Sequence, residues 1–201
     1  MNPDLRPVID VSYADQRPSG LPVSIGIPFP KGELQDPETV LVSSPGGEPR
    51  PTGTRPLAHW PDGSVRWCLL SFGARETGPH AVAVGSKPPA PQEAVFVERR
   101  KDGLMLSNER LSVGLTHTGP GPVDRIECDG HLYLDDPSSL RLCVDRASTL
   151  HEKERSIEVI ENTPVRCRVR LEGAHYDPAH DPLLSYRLDL EIWSGWPVLR
   201  L

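Results

Sequence analysis

The stretch PVRCRVRLEG, Pro164 to Gly173, alternates with a period of two: Val165, Cys167, Val169 and Leu171 against Arg166, Arg168, Arg170 and Glu172. A helix would scatter both sets around its axis, whereas a strand sends successive side chains to opposite faces. The pattern predicts a half-buried β-strand. LLSYRLDLEIW, Leu183 to Trp193, repeats it, with Leu184, Tyr186, Leu188, Leu190 and Ile192 expected on a core, opposite Ser185, Arg187, Asp189 and Glu191. Joined through the loop 174–182, the two read as an antiparallel pair. The arginines of one then lie beside the carboxylates of the other, each exposed pair contributing ~0.2–1 kcal/mol. The arginine row reads as structural, and a basic stripe for an acidic ligand is the other reading it leaves open.

Outward from this pair the signature recurs. Short runs rich in β-branched and aromatic residues, bounded by turn formers, predict strands at 5–13, 21–27, 38–43, 55–60, 64–72, 79–84 and 92–98. Further strands are expected at 103–107, 110–116, 122–127, 131–134, 139–145, 156–161 and 196–201. The prolines of GSKPPAPQ, Gly85 to Gln92, cannot continue a ladder and mark the approach to a boundary. The reading is an all-β chain with a first domain over residues 1–98 and a second over 99–201. DRASTLHEKERS, Asp145 to Ser156, is the helix candidate, although it is polar on nearly every face.

Composition agrees. The 23 prolines in 201 residues are about twice the usual ~5% share, as many short strands with punctuated turns require. A net charge of −6 argues against a nucleic-acid partner, which needs a basic face. No apolar run reaches the ~18 residues of a membrane-spanning helix, and the start lacks the layout of a signal peptide. A soluble cytoplasmic chain with no membrane partner is the expectation. Cys68, Cys128, Cys143 and Cys167 are scattered, without zinc spacing, and Cys68, Cys143 and Cys167 lie in apolar runs as expected of reduced core thiols.

Two places gather chemistry. In LAHWPDGSVRW, Leu57 to Trp67, Pro61 presets the first turn corner, Asp62 can bond nearby backbone and Gly63 accepts the left-handed conformation. This is a hairpin signal that puts Trp60 and Trp67 on opposite strands, and a tryptophan platform for a sugar ring is the alternative. The loop GAHYDPAHDP, Gly173 to Pro182, collects His175, Tyr176, Asp177, His180 and Asp181, residue types that transfer protons or bind metals. Hairpin loops favour such composition for turn chemistry as well. His175 to His180 spans no zinc signature, so neither a metal nor a cofactor is expected. The candidate substrate-binding residues are Trp60, Trp67, His175, Tyr176 and His180, with no catalytic residue assigned.

GIPFPKGEL, Gly26 to Leu34, followed by LAHWPDGSVRWCLLSF, Leu57 to Phe72, resembles the N-terminal domain of the exo-rhamnogalacturonan lyase-like, or YetA-like, proteins of polysaccharide lyase family twenty-six. ENTPVRCRVRLEGAH, Glu161 to His175, and YRLDLEIWSGWPVLRL, Tyr186 to Leu201, resemble the start of that family's central sandwich. The resemblance implies a small RIFT-type β-barrel, then a partial antiparallel β-sandwich, then a C-terminal α/α toroid. The sequence stops inside the second domain, which reads as a truncation with the toroid missing. The implied function is the non-catalytic front portion of a pectin lyase-like protein, inactive alone, with an acidic pectic oligosaccharide and the missing toroid as partners. A stand-alone carbohydrate-binding or scaffolding β module is the competing reading, and an unrelated enzyme using the 173–182 loop is a third.

Overall fold

The computed structural model describes residues 7–12, 21–119, 121–135, 155–176 and 181–201. Among them the helical element is a single 3-10 turn at Pro37–Thr39, capped by the Asp36 carboxylate, and the regular remainder is antiparallel strand. The chain separates into two compact units, with the division between Pro91 and Gln92.

The first unit contains β1 (Val8–Val11), β2 (Leu21–Pro28), β3 (Val40–Ser43), β4 (Pro49–Arg50), β5 (Thr52–His59), β6 (Val65–Ala74) and β7 (Gly78–Val84). Strands pair in the orders β1-β7-β3-β4 and β2-β6-β5. In β6 the two-residue period sends Cys68, Leu70, Phe72 and Ala74 inward, where they join Ile27, Phe29, Leu34, Val40, Val42 and Val82 in one core. Removing that apolar surface from water is the main stabilising term, ~1.5–3 kcal/mol for each fully buried large side chain. β4 is too short to carry a period, and sequence patterning passed over it.

The second unit contains β8 (Phe96–Arg100), β9 (Gly103–Ser107), β10 (Leu111–Thr116), β11 (Val123–Cys128) and β12 (His131–Leu134) in one sheet, ordered β12-β11-β10-β9-β8. The other sheet, β13-β14-β15-β16, is built from Ser156–Asn162, Arg166–Tyr176, Pro182–Trp193 and Trp196–Arg200. Leu104, Leu106, Val113 and Leu115 of the first sheet form one cluster with Cys167, Val169, Leu171, Leu190 and Ile192 of the second. Two sheets sharing one apolar layer are a sandwich. Asn108 ties them together: its Nδ2 donates to the carbonyls of Trp193 (2.7 Å) and Trp196 (3.0 Å), and its Oδ1 accepts from the amides of Arg110 and Leu111.

Two expectations need adjustment, and others fall outside the described residues. The run expected at 92–98 forms its strand at Phe96–Arg100 and pairs with β9, so it lies in the second unit. Leu184, expected on the core, is 48% exposed, because β15 runs for 12 residues while the strands of the facing sheet have four to six. Its first half outruns the surface it could pack against. The expected strand 139–145, Cys143 and the helix candidate up to residue 154 lie outside the described residues; Ser156 begins β13.

Candidate functional site

The hairpin between β5 and β6 folds as its turn residues require. Gly63 takes φ 87°, its N–H reaches the Trp60 carbonyl at 2.9 Å, and the Trp60 N–H reaches the Ser64 carbonyl at 2.8 Å. Asp62 Oδ1 accepts from the Ser64 hydroxyl at 2.6 Å and the Ser64 N–H at 3.1 Å. The Ser64 hydrogen bond comes first among the causes that hold the Asp62 carboxyl below its ordinary range, and the Lys31 charge adds to it. The corner is also sewn to the segment Phe29–Leu34. Trp60 Nε1 donates to the Phe29 carbonyl (3.0 Å), Gly32 N–H to Ser64 Oγ (2.9 Å), Phe29 N–H to the Arg66 carbonyl (3.0 Å) and Val65 N–H to the Leu34 carbonyl (2.8 Å). The two stretches that carry the family resemblance are therefore one substructure.

The two tryptophans separate by role. Trp60 is half-buried and anchored, with the Arg66 guanidinium carbon 4.8 Å from its ring centroid. Trp67 sits between Pro28 and Ala58 on the face of the β2-β6-β5 sheet that points away from the core, and is 42% exposed. Its indole meets β2 at Gly26, where a Cβ would overlap Nε1 and crowd Cε2 (3.3 Å) and Cδ1 (3.4 Å), so only glycine leaves room.

In the second unit, Gly173 to Tyr176, read from composition as loop, continue β14. The period persists through the polar residues: His175 falls on the same face as Leu171 and is 4% exposed. Its ring lies 5.4 Å from that of Tyr186, and its buried Nδ1 has no hydrogen-bond partner among the described residues. Tyr176 is half-buried, one residue further along. His180 lies outside the described residues.

The outer face of β13–β16 carries the charges. Arg170 binds Asp189 at 2.8 Å, Arg168 reaches the same carboxylate at 3.2 Å, Arg187 binds Glu172 at 2.7 Å and Arg200 binds Glu191 at 3.3 Å. These pairs follow the register, in which Arg170 stands opposite Asp189 and Glu172 opposite Arg187. The Arg170 hydrogen bond leads in pulling the Asp189 carboxyl below its usual range. At the sheet's end Arg166 is almost enclosed, held between Glu191 and Glu161 (3.5 Å), with its guanidinium carbon 5.0 Å from the Trp193 ring centroid. Burial pushes the Glu191 carboxyl up, but the bonds from Arg166 and Trp193 and the Arg200 charge outweigh it and leave it lowered. An open hollow of about 270 Å³ lined by Arg168, Asp189, Leu190, Glu191, Arg200 and Leu201 borders this network. Its four charged groups are paired with one another, which is arrangement for stability before it is arrangement for binding. Sequence reasoning singled out neither Arg66 nor Asn108; the guanidinium over a ring was foreshadowed only by arginine and tryptophan flanking the same turn.

Residues 8–87 match the family of the PcRGLX-like N-terminal RIFT barrel domain. The first unit is such a barrel, and the chain is similar to the YetA-like, rhamnogalacturonan lyase-like proteins. Among its relatives is YetA of Bacillus subtilis strain 168, itself an uncharacterized protein, 23% identical over 186 residues. That match covers 86% of this chain but 22% of YetA, so the chain spans about a fifth of the relative's length.

Proposed function

We propose that this chain is the non-catalytic front portion of a rhamnogalacturonan lyase-like protein, supporting or contacting the pectic polysaccharide while elimination occurs elsewhere in a longer polypeptide. The observation that carries the reading is the barrel match over residues 8–87 in a chain spanning 22% of its relative. The chemistry is consistent with it. Uronate elimination needs a base that removes the proton beside the carboxylate and cations that hold the enolate-like charge. In the second unit Arg166, Arg168, Arg170, Arg187 and Arg200 are each engaged with a carboxylate, and His175 is buried. The proposed partners are an acidic pectic oligosaccharide and the C-terminal toroid that the family resemblance implies, and the proposed setting is the cytoplasm. Purified chain incubated with rhamnogalacturonan oligosaccharides should leave the ultraviolet absorbance of the unsaturated product flat. A sustained rise proportional to protein concentration would contradict the reading.

A further inference from the structure

The stack at the corner of the barrel is built on backbone. Phe29 accepts the Trp60 indole N–H through its carbonyl and donates its own N–H to the Arg66 carbonyl, both at 3.0 Å. One residue thus fixes both members of the pair. Lying over a ring satisfies none of the five N–H donors of a guanidinium, and the Arg66 side chain makes no hydrogen bond or ion pair among the described residues. Arg66 is exposed, so those donors are available to a ligand. Lys31, whose charge is felt at Asp62, adds a second positive charge to the corner, while the Asp62 carboxylate is engaged by Ser64. A cation held against an aromatic surface, with its donors unspent, is suited to an anion borne on a ring.

We propose that Arg66 over Trp60 recognises the carboxylate of an acidic sugar. The planar guanidinium offers a carboxylate two parallel N–H bonds, which a lysine ammonium cannot reproduce. The half-buried Trp60 supplies an apolar edge against which the sugar ring packs. The assignment rests on the polysaccharide-contacting reading given above and names the chemical group and the residues that make the contact.

Titration calorimetry with a galacturonate-containing oligosaccharide, its carboxyl-reduced counterpart and inorganic phosphate tests it on the full chain. Arg66→Gln, which removes no internal hydrogen bond of the side chain, should weaken the acidic oligosaccharide about tenfold or more and leave the reduced one unchanged. Arg66→Lys should fall between the two, since it keeps charge but loses the fork. Circular dichroism of both variants should match the parent. Binding of the acidic sugar that survives Arg66→Gln would overturn this site and leave the polysaccharide contact standing. Equal binding of the acidic and reduced sugars, or phosphate binding as tightly as the acidic sugar, would also overturn it. No binding of either sugar by the parent chain would sink both the Arg66 site and the polysaccharide contact, whereas lyase turnover by the chain would sink the non-catalytic reading alone.

Discussion

Among the described residues two arginines lie over tryptophan rings at nearly the same distance, Arg66 over Trp60 at 4.8 Å and Arg166 over Trp193 at 5.0 Å. Their surroundings differ. Arg166 is 7% exposed and flanked by Glu161 and Glu191, with Trp193 Nε1 donating to Glu191 at 3.2 Å. Arg66 stands at a turn, open to solvent, with no carboxylate in ion-pair reach among the described residues. The same pair of side chains closes a network in one unit and presents an unspent cation in the other. What decides between a structural and a recognising arginine is the company of carboxylates and the access of water, which the stack itself does not set.

The comparison can be broken most strongly by truncation. Arg166→Ala takes the shared guanidinium away from Glu161 and Glu191, two carboxylates at the closed end of the sheet, and should cost about 3–5 kcal/mol in chemical denaturation. Arg66→Ala loses an exposed cation–π contact and should cost no more than ~1 kcal/mol. Similar losses at both sites would erase the distinction. Next in size is Asn108→Ala, which strips partners from two carbonyls and two amides at the join of the sandwich. A loss of about 2–3 kcal/mol is expected, read as earlier unfolding of the second unit by hydrogen exchange, with the barrel unchanged.

Acid should distinguish the units more gently. Asp189 and Glu191 hold their protons less tightly folded than unfolded, so the stability they contribute is present above the ordinary carboxyl values of 3.8 and 4.5. It drains away as pH falls through those values towards the lower folded ones. Hydrogen exchange from pH 6 to pH 3 should show the second unit loosening, and Arg166→Ala should blunt that dependence. The smallest contrast concerns the thiols. Burial pushes Cys68 up to about 11 and Cys167, with Glu161 nearby, to about 12. Both should resist alkylation at pH 8 in the native chain and react in denaturant, since the thiolate is the nucleophile.

Much of the architecture was legible because it rests on local rules. The alternation in Val165 to Glu172 fixed which face of β14 is buried, and the Pro61-Asp62-Gly63 sequence fixed the hairpin. The opposition of arginines to Asp189 and Glu172 followed once the strands were paired. The burial of Cys68 and Cys167 followed from their neighbours. What stayed hidden depends on distant parts of the chain. Leu184 has a core residue's position in the period but no opposing sheet to meet. His175 carries a catalytic residue type in a stretch of turn-forming composition, yet the strand runs on and buries it. Asn108 acts through Trp193 and Trp196, separated from it by 85 and 88 positions. Arg66 and Trp60 are six apart across a turn, and the anchoring of both to Phe29 is a tertiary event that spacing does not announce.

The most direct measurement follows the indole N–H resonances of the four tryptophans while labelled chain is titrated with a galacturonate-containing oligosaccharide. The open stack predicts that Trp60 shifts with saturable, Arg66-dependent behaviour and that Trp193, enclosed with its carboxylates, stays in place. Movement of Trp193 with Trp60 unchanged, or a Trp60 shift that persists in Arg66→Gln, would contradict the account.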